Sequence, residues 1–361
     1  MNNNMSKTEI VYFALNIILL ILGVIFKGQV FSPVFFTFMW ILLVIWGLKK
    51  CQKTDSALTI SNSSALRGIS AVEIMLGHIG LASGNIFQFP NRKAGILFVG
   101  IFFMLSGFGL AYGFDNKKDY IKHFFRNRMV AILIPALFVI LIEIIYYQTI
   151  SFQMLSGSGR WYIIELLGFY TIFFVSYKLL GNKGWIAISI FSGIFIVVAF
   201  LCGLTNPWYG STLCFPLGMA YYKFQKNTKT LSLGKRLFFI VLSGIILIIS
   251  IAGFFLKDGT FFGNVICRSL ASVSFCVALL LILEKISIEN QYSKWLSNIS
   301  YEIFLIHPIV IVIVNDHIHI IKEYTFLVTV CVTLITIIVA CFLKILSKGI
   351  ITVINKNPTK E

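Results

Sequence analysis

Apolar residues along this chain gather in blocks of about 20 separated by short polar breaks, the length at which an α-helix crosses the hydrocarbon core. Twelve such blocks are centred in 10–26, 31–48, 66–86, 94–114, 130–149, 161–180, 184–203, 208–224, 236–256, 261–283, 297–314 and 324–346. Each predicts a transmembrane helix. The polar stretch 49–65 (KKCQKTDSALTISNSSA) separates the first two from the rest. The chain therefore divides into 1–60, a two-helix membrane hairpin and linker, and 61–361, a ten-helix membrane domain. The expected fold is all-α, a polytopic bundle of about twelve transmembrane helices. Lys7 precedes the first block, but no small-residue cleavage pattern follows it, so that block reads as a retained anchor.

The basic residues test this count. With the N-terminus in the cytoplasm and strict alternation, 23 of the 30 Lys and Arg fall in cytoplasmic segments and 7 in outer ones. An error of one span would scramble the split. The expectation is a multi-pass protein of the cell membrane with both termini cytoplasmic. Composition agrees: 58% of residues are apolar and 12% charged, where soluble domains carry about 45–50% and about 25%. Soluble, disordered and disulfide-scaffold classes are excluded. The net charge of +16 would point to nucleic acid in a soluble protein; here it follows membrane topology, and no nucleic-acid partner is expected. The seven Cys include no CxxC and read as small buried hydrophobes. His317 and His319 lack a third ligand, so no metal is expected. No sequence repeat and no paired broken helices are present, which weighs against common transporter plans.

Ionisable groups at membrane depth are costly and mark function by default. Glu73 and His78 lie in the third block, Glu143 in the fifth, Glu165 in the sixth, and Glu302 and His307 in the eleventh. Arg67 stands at the cytoplasmic end of the third block. It precedes His78 by eleven residues, about three turns, which puts both on nearly one face with roughly 16 Å between them along the axis. A cation at the rim and a base deeper on the same stripe suit a long ligand, anionic at one end and reactive at the other. Coenzyme A carrying an acyl thioester has that shape. A snorkelling arginine with a histidine bonded to a neighbouring helix fits the same residues.

Further along, Ser106 and Gly107 lie in a small-residue stretch that serves close helix packing. Arg126 and Arg128, in the segment that leads to Pro135, suit phosphate better than the nearby lysines because guanidinium binds it bidentately. His307 lies about as deep as His78. The two can share a site, but the residue beside Pro308 reads first as support for a helix bend there.

Taken in order, these pieces resemble the integral-membrane acyltransferase family 3. Arg67 to His78 (RGISAVEIMLGH) matches its Arg-x10-His, FFMLSGFGL at 102–110 its FFxLSGF, and FFRNRMVAILIP at 124–135 its basic stretch ending at proline. Trp161-Tyr162-Ile163 loosely matches a WFL-like motif, and SYEIFLIHP at 300–308 matches SYxIYLIH. The resemblance covers about 61–346. The chain departs from the pattern in three places: Arg-x-Arg (Arg126, Arg128) replaces Arg-x-x-Arg, Gly100 stands where relatives often have Asp, and Glu73 stands where an apolar residue is usual.

The resemblance implies transfer of an acyl group, most often acetyl, from cytoplasmic acyl-CoA to a hydroxyl of a cell-envelope saccharide. Acetyl-CoA is then the donor substrate and the saccharide the acceptor, with Arg67, Arg126 and Arg128 near the phosphates. His78 acts as general base or transient acyl carrier. Glu73, Ser106, Trp161, Tyr162 and His307 are candidates for substrate binding or support, with Ser106 near the oxyanion. A proton-coupled transporter or lipid-linked-sugar flippase is the rival expectation, and an assembly subunit of an envelope complex a third.

Overall fold

The computed structural model describes residues 48–50, 56–83, 89–149, 160–229, 231–288, 291–317 and 325–356. The predicted spans 10–26 and 31–48 lie outside that set except for Leu48. Of these residues, 86% are helical. In chain order, a strand β1 (Leu48–Lys50) precedes α1 (Ile60–Ser83), α2 (Phe89–Asn116), α3 (Phe124–Tyr147), α4 (Trp161–Leu180) and α5 (Gly184–Leu201). The one-turn α6 (Pro207–Gly210), α7 (Cys214–Lys229) and α8 (Leu233–Leu256) follow. A π-helical turn (Phe262–Cys267) then leads into α9 (Arg268–Leu283), β2 (Ile286–Ile288), α10 (Gln291–Asn298), α11 (Ser300–His317) and α12 (Thr325–Lys356).

Each of the ten predicted core blocks coincides with a helical segment. Among the described residues, seven helices are long and apolar enough to cross a membrane, or eight if the bent pair α10 and α11 is one span. The run Trp161–Leu201 counts once there although it has 41 residues, which would make a straight rod of about 60 Å. It is a hairpin instead. The rings of Phe169 and Phe191 meet at 6.4 Å, and the chain reverses at Gly181, whose φ of +52° suits glycine. The predicted block 208–224 is interrupted, since α6 and α7 are separate and α7 has only 16 residues. The helix α1 begins at Ile60, inside the predicted linker, because the Thr59 hydroxyl accepts the Asn62 N–H at 3.1 Å and caps it there.

Contacts at the two ends follow the alternation read from the charges. At one end, which carries most of the lysines, Lys223 donates to Asp115 at 2.9 Å and to Asn182 at 3.0 Å. Arg126 reaches the Ile354 carbonyl at 3.4 Å at that same end. At the opposite end Tyr146 donates to Asp316 at 2.9 Å and Arg160 pairs with Glu143. The first is called the basic end below.

The helix α1 is the centre of the bundle. Of its spanning window, 72% is buried inside the protein, against 17% for α8. Its mean hydropathy is correspondingly the lower, 1.3 against 2.8, because a helix that faces protein can carry polar groups that lipid would reject. The outer helices present aliphatic side chains such as Ile248, Leu256, Ile338 and Ile345 to the surroundings. Lipid tails are as apolar as these side chains, so helices associate through close packing. The tightest crossing joins α2 to α7. A Cβ on Gly107 would stand 2.0 Å from the Phe215 carbonyl oxygen, and one on Gly218 would stand 1.9 Å from that of Met104. The LSGF sequence is in this respect a packing device.

Polar ties close the basic end. Strands β1 and β2 pair antiparallel, Leu48 opposite Ile288 and Lys50 opposite Ile286. Asn62 donates to the Ala57 carbonyl at 2.8 Å and accepts the Ile288 N–H at 2.7 Å. Tyr221 accepts the Ala57 N–H and donates to Glu284. Glu284 in turn pairs with Arg236, both side chains 2% exposed. These bonds fix the segment before α1 onto the bundle, and with it the placement of Arg67.

Candidate active site

The site is built on α1. His78 is exposed within the bundle. Its Nδ1 lies 3.0 Å from the Ile74 carbonyl and 2.9 Å from Nε2 of His307, which is 1% exposed. The two rings are 4.9 Å apart between centroids.

The sequence fixes His307 in this arrangement. Pro308 has no N–H, so it leaves the Phe304 carbonyl without its helical donor. The His307 ring fills in: its Nδ1 lies 3.0 Å from the Ile303 carbonyl and reaches that of Phe304 as well. A carbonyl only accepts, so Nδ1 of His307 carries the proton and its Nε2 is the lone pair. That lone pair accepts from Nδ1–H of His78, which leaves Nε2 of His78 as an unprotonated base with no partner among the described residues. The helix α11 runs on through Pro308, and a bend of 68° lies earlier, at Ile299, where α10 and α11 meet.

His78 belongs to the wall of a cavity of about 830 Å³, within the range of small-ligand sites. His78, His307, Trp161 and Phe304 line its inner part, and Leu81, Lys93, Pro207 and Arg268 mark it as reaching toward the end opposite the basic one.

A second constellation lies toward the basic end. The Arg67 guanidinium is accessible although Arg128, Tyr162 and Tyr170 surround it. It makes no hydrogen bond or ion pair with the described residues. Arg128 donates to the Tyr120 hydroxyl at 3.0 Å and packs over the Tyr170 ring at 5.9 Å. Two guanidinium groups with phenols, and no carboxylate between them among the described residues, form a ready anion site. The Ser106 hydroxyl reaches the phenols of Tyr162 and Tyr170. From this chamber a line of rings leads to the histidines. Tyr162 meets Phe304 at 4.9 Å, and Phe304 meets His307 at 6.0 Å.

Of the residues singled out from sequence, the fold thus brings His78, His307 and Trp161 to one cavity, and Arg67, Arg128, Ser106 and Tyr162 to the chamber below it. Arg126 is not with them, since it is turned to the end of α12. Glu73 is half-buried, does not line the cavity and has no hydrogen-bond partner among the described residues. The other membrane acids are engaged: Glu143 with Arg160, Glu165 with Thr212 at 2.8 Å, and Glu302 with Lys344 at 3.1 Å. Sequence reasoning overlooked Tyr120 and Tyr170, and it assigned Lys93 and Arg268 to outer loops only. Tyr170 follows Tyr162 by eight residues, about two turns on one face, a spacing that was available to find it.

No curated protein and no solved structure matches the chain significantly. A family model described as an acyltransferase domain matches residues 60–345, a segment that holds every helix contributing to the chamber and the cavity. The chain belongs to acyltransferase family 3 and is a multi-pass membrane acyltransferase.

Proposed function

We propose that the protein is an O-acyltransferase that moves an acetyl or similar acyl group from cytoplasmic acyl-CoA to a hydroxyl of a cell-envelope saccharide. The observation that carries this reading is the free Nε2 of His78. The residue lines the cavity, and its other nitrogen is tied to His307. In this reading the CoA phosphates lie at Arg67 and Arg128. The thioester arm extends along α1 past Tyr162 and Phe304, a reach of roughly 16 Å from Arg67 to His78. The acceptor occupies the cavity from the other end.

The hydroxyl gives its proton to Nε2 of His78 as its oxygen attacks the thioester carbonyl. The C–S bond then breaks, and the proton passes to the departing CoA sulfur. Such general-base help supplies about 10²–10⁴ in rate. His307 holds the imidazole in the tautomer this requires. The rival reading as a proton-coupled transporter or flippase has less support, because Glu143, Glu165 and Glu302 are held by partners and Glu73, which has none among the described residues, does not line the cavity.

The test is acetyl transfer from radiolabelled acetyl-CoA to glycan in washed membranes. His78→Ala is expected to abolish it while the protein stays folded. Full activity in that variant would remove His78 from the mechanism, and flux of an unmodified substrate would favour the transporter.

A further inference from the structure

With a thioester carbonyl at His78, the acyl group attached to it needs a place of its own. The CoA arm arrives along α1 from Arg67, so the substituent on the far side of the carbonyl continues past His78 toward Leu81. The cavity lies there. It follows α1 from Ile74 to Leu81, a rise of about 10 Å along the axis, and an acetyl methyl would fill only its beginning.

The wall suits hydrocarbon. Ile74, Leu97, Val99, Ala271 and Phe304 contribute to it, and its described lining residues include no Ser, Thr, Tyr, Asn, Gln, Asp or Glu. Sugar hydroxyls buried in this part would lack those partners, which is costly. The saccharide therefore offers its reacting hydroxyl from the end marked by Lys93 and Arg268 and keeps its bulk there. On the α2 side the wall is firm. The Ser211 hydroxyl donates to the Ile96 carbonyl at 2.7 Å, and Gly210 packs on the Ile96 side chain. Beside Ile96 the wall is cut back, since Gly95 lines the cavity and nothing lies within 4 Å of a Cβ built on it. Protein interiors are otherwise close-packed, so the missing side chain is what gives the cavity its width.

We infer that the transferred group is a hydrocarbon acyl chain longer than acetyl, housed in this cavity, and that Gly95 sets the length accepted. This rests on the acyl-transfer reading above and narrows its donor to a medium-chain acyl-CoA.

The test is equilibrium binding to the full-length protein in lipid nanodiscs, which needs no turnover. The probes are CoA and its S-ethyl, S-butyl, S-hexyl and S-octyl thioethers, which cannot give up their chains. From S-ethyl to S-hexyl the affinity is expected to rise about two- to fourfold for each methylene buried. Gly95→Leu puts a side chain into the cavity and is expected to remove most of that rise, with the affinities for CoA and S-ethyl-CoA unchanged. Ala94→Leu, at the neighbouring lining position, is expected to do the same, and it carries the test should Gly95→Leu show no thermal unfolding transition.

CoA binding with equal affinity for all four thioethers overturns the inference and leaves the acyl-transfer reading standing; the apolar wall would then serve a lipid tail of the acceptor. A rise with chain length that persists in the folded Gly95→Leu and Ala94→Leu variants also overturns it, because the chains would be held by the bilayer and not by the cavity. Failure of CoA and every thioether to bind would count against the acyl-transfer reading itself and overturn the inference with it.

Discussion

Nε2 of His307 lies 2.9 Å from Nδ1 of His78, although 229 positions separate the two residues in the chain. The contact engages Nδ1 of His78, a residue that lines the cavity, and gives His307 a positioning role. His307→Phe removes the acceptor, and turnover is expected to fall about 10²–10⁴-fold with little change in the apparent affinity for acetyl-CoA. His307→Gln keeps an acceptor oxygen and is expected to recover part of the loss. Rates of CoA release, resolved into kcat and KM, check this. A purely structural role would lower thermal stability in both variants without the split or the rescue.

The two arginines of the chamber make a separate prediction. Arg67→Gln and Arg128→Gln each remove a guanidinium from the anion site and are expected to weaken CoA binding by about 10–100-fold, as charge-assisted bonds do. Arg126→Gln is expected to change it by no more than about threefold, since loss of a surface contact to the Ile354 carbonyl costs little. Titration of the full-length protein with CoA distinguishes the three.

Two glycines of one motif are expected to behave differently. Ala at Gly107 would place its Cβ 2.0 Å from the Phe215 carbonyl oxygen, whereas nothing lies within 4 Å of a Cβ at Gly109. Gly107→Ala is therefore expected to destabilise the protein by about 1–3 kcal/mol or more through overpacking. Gly109→Ala is expected to stay within about 0.5 kcal/mol of the parent. Thermal unfolding in detergent and yield from membranes compare them.

The buried pair Arg236 and Glu284 sets a fourth expectation. Removing one partner strands a charge in the interior, at a cost of about 3–5 kcal/mol. Arg236→Leu alone is expected to lower the unfolding temperature markedly. The double variant Arg236→Leu with Glu284→Leu is expected to recover much of that, less the contribution of the Tyr221 hydroxyl bonded to Glu284. A double-mutant cycle in thermal unfolding measures it.

The placement of Arg67 and His78 was legible because both sit on one helix, where a period of 3.6 residues converts spacing into geometry. The helical blocks were legible for the same kind of reason, since bilayer thickness sets their length. His307 was not legible as a partner of His78, because its distance depends on how α11 packs against α1 and no local pattern encodes that. Pro308 drew attention as a bend, while its effect is to free a carbonyl that His307 then uses. Arg126 and Arg128 look equivalent in sequence, yet they point about 200° apart around the helix. Arg268 looked like a topology marker until the fold set it against Phe254 in the wall of the cavity.

The rings of Tyr162, Phe102 and Phe304, spaced 4.9–6.2 Å apart, have an electrical consequence. They form an apolar layer between Arg67 and His78, and a charge crossing the whole membrane potential is worth about 2.3 kcal/mol per 100 mV. An ion passing between the two residues would have to part these rings and shed its water together. The aromatic layer thus opposes leakage of ions through the middle of the bundle.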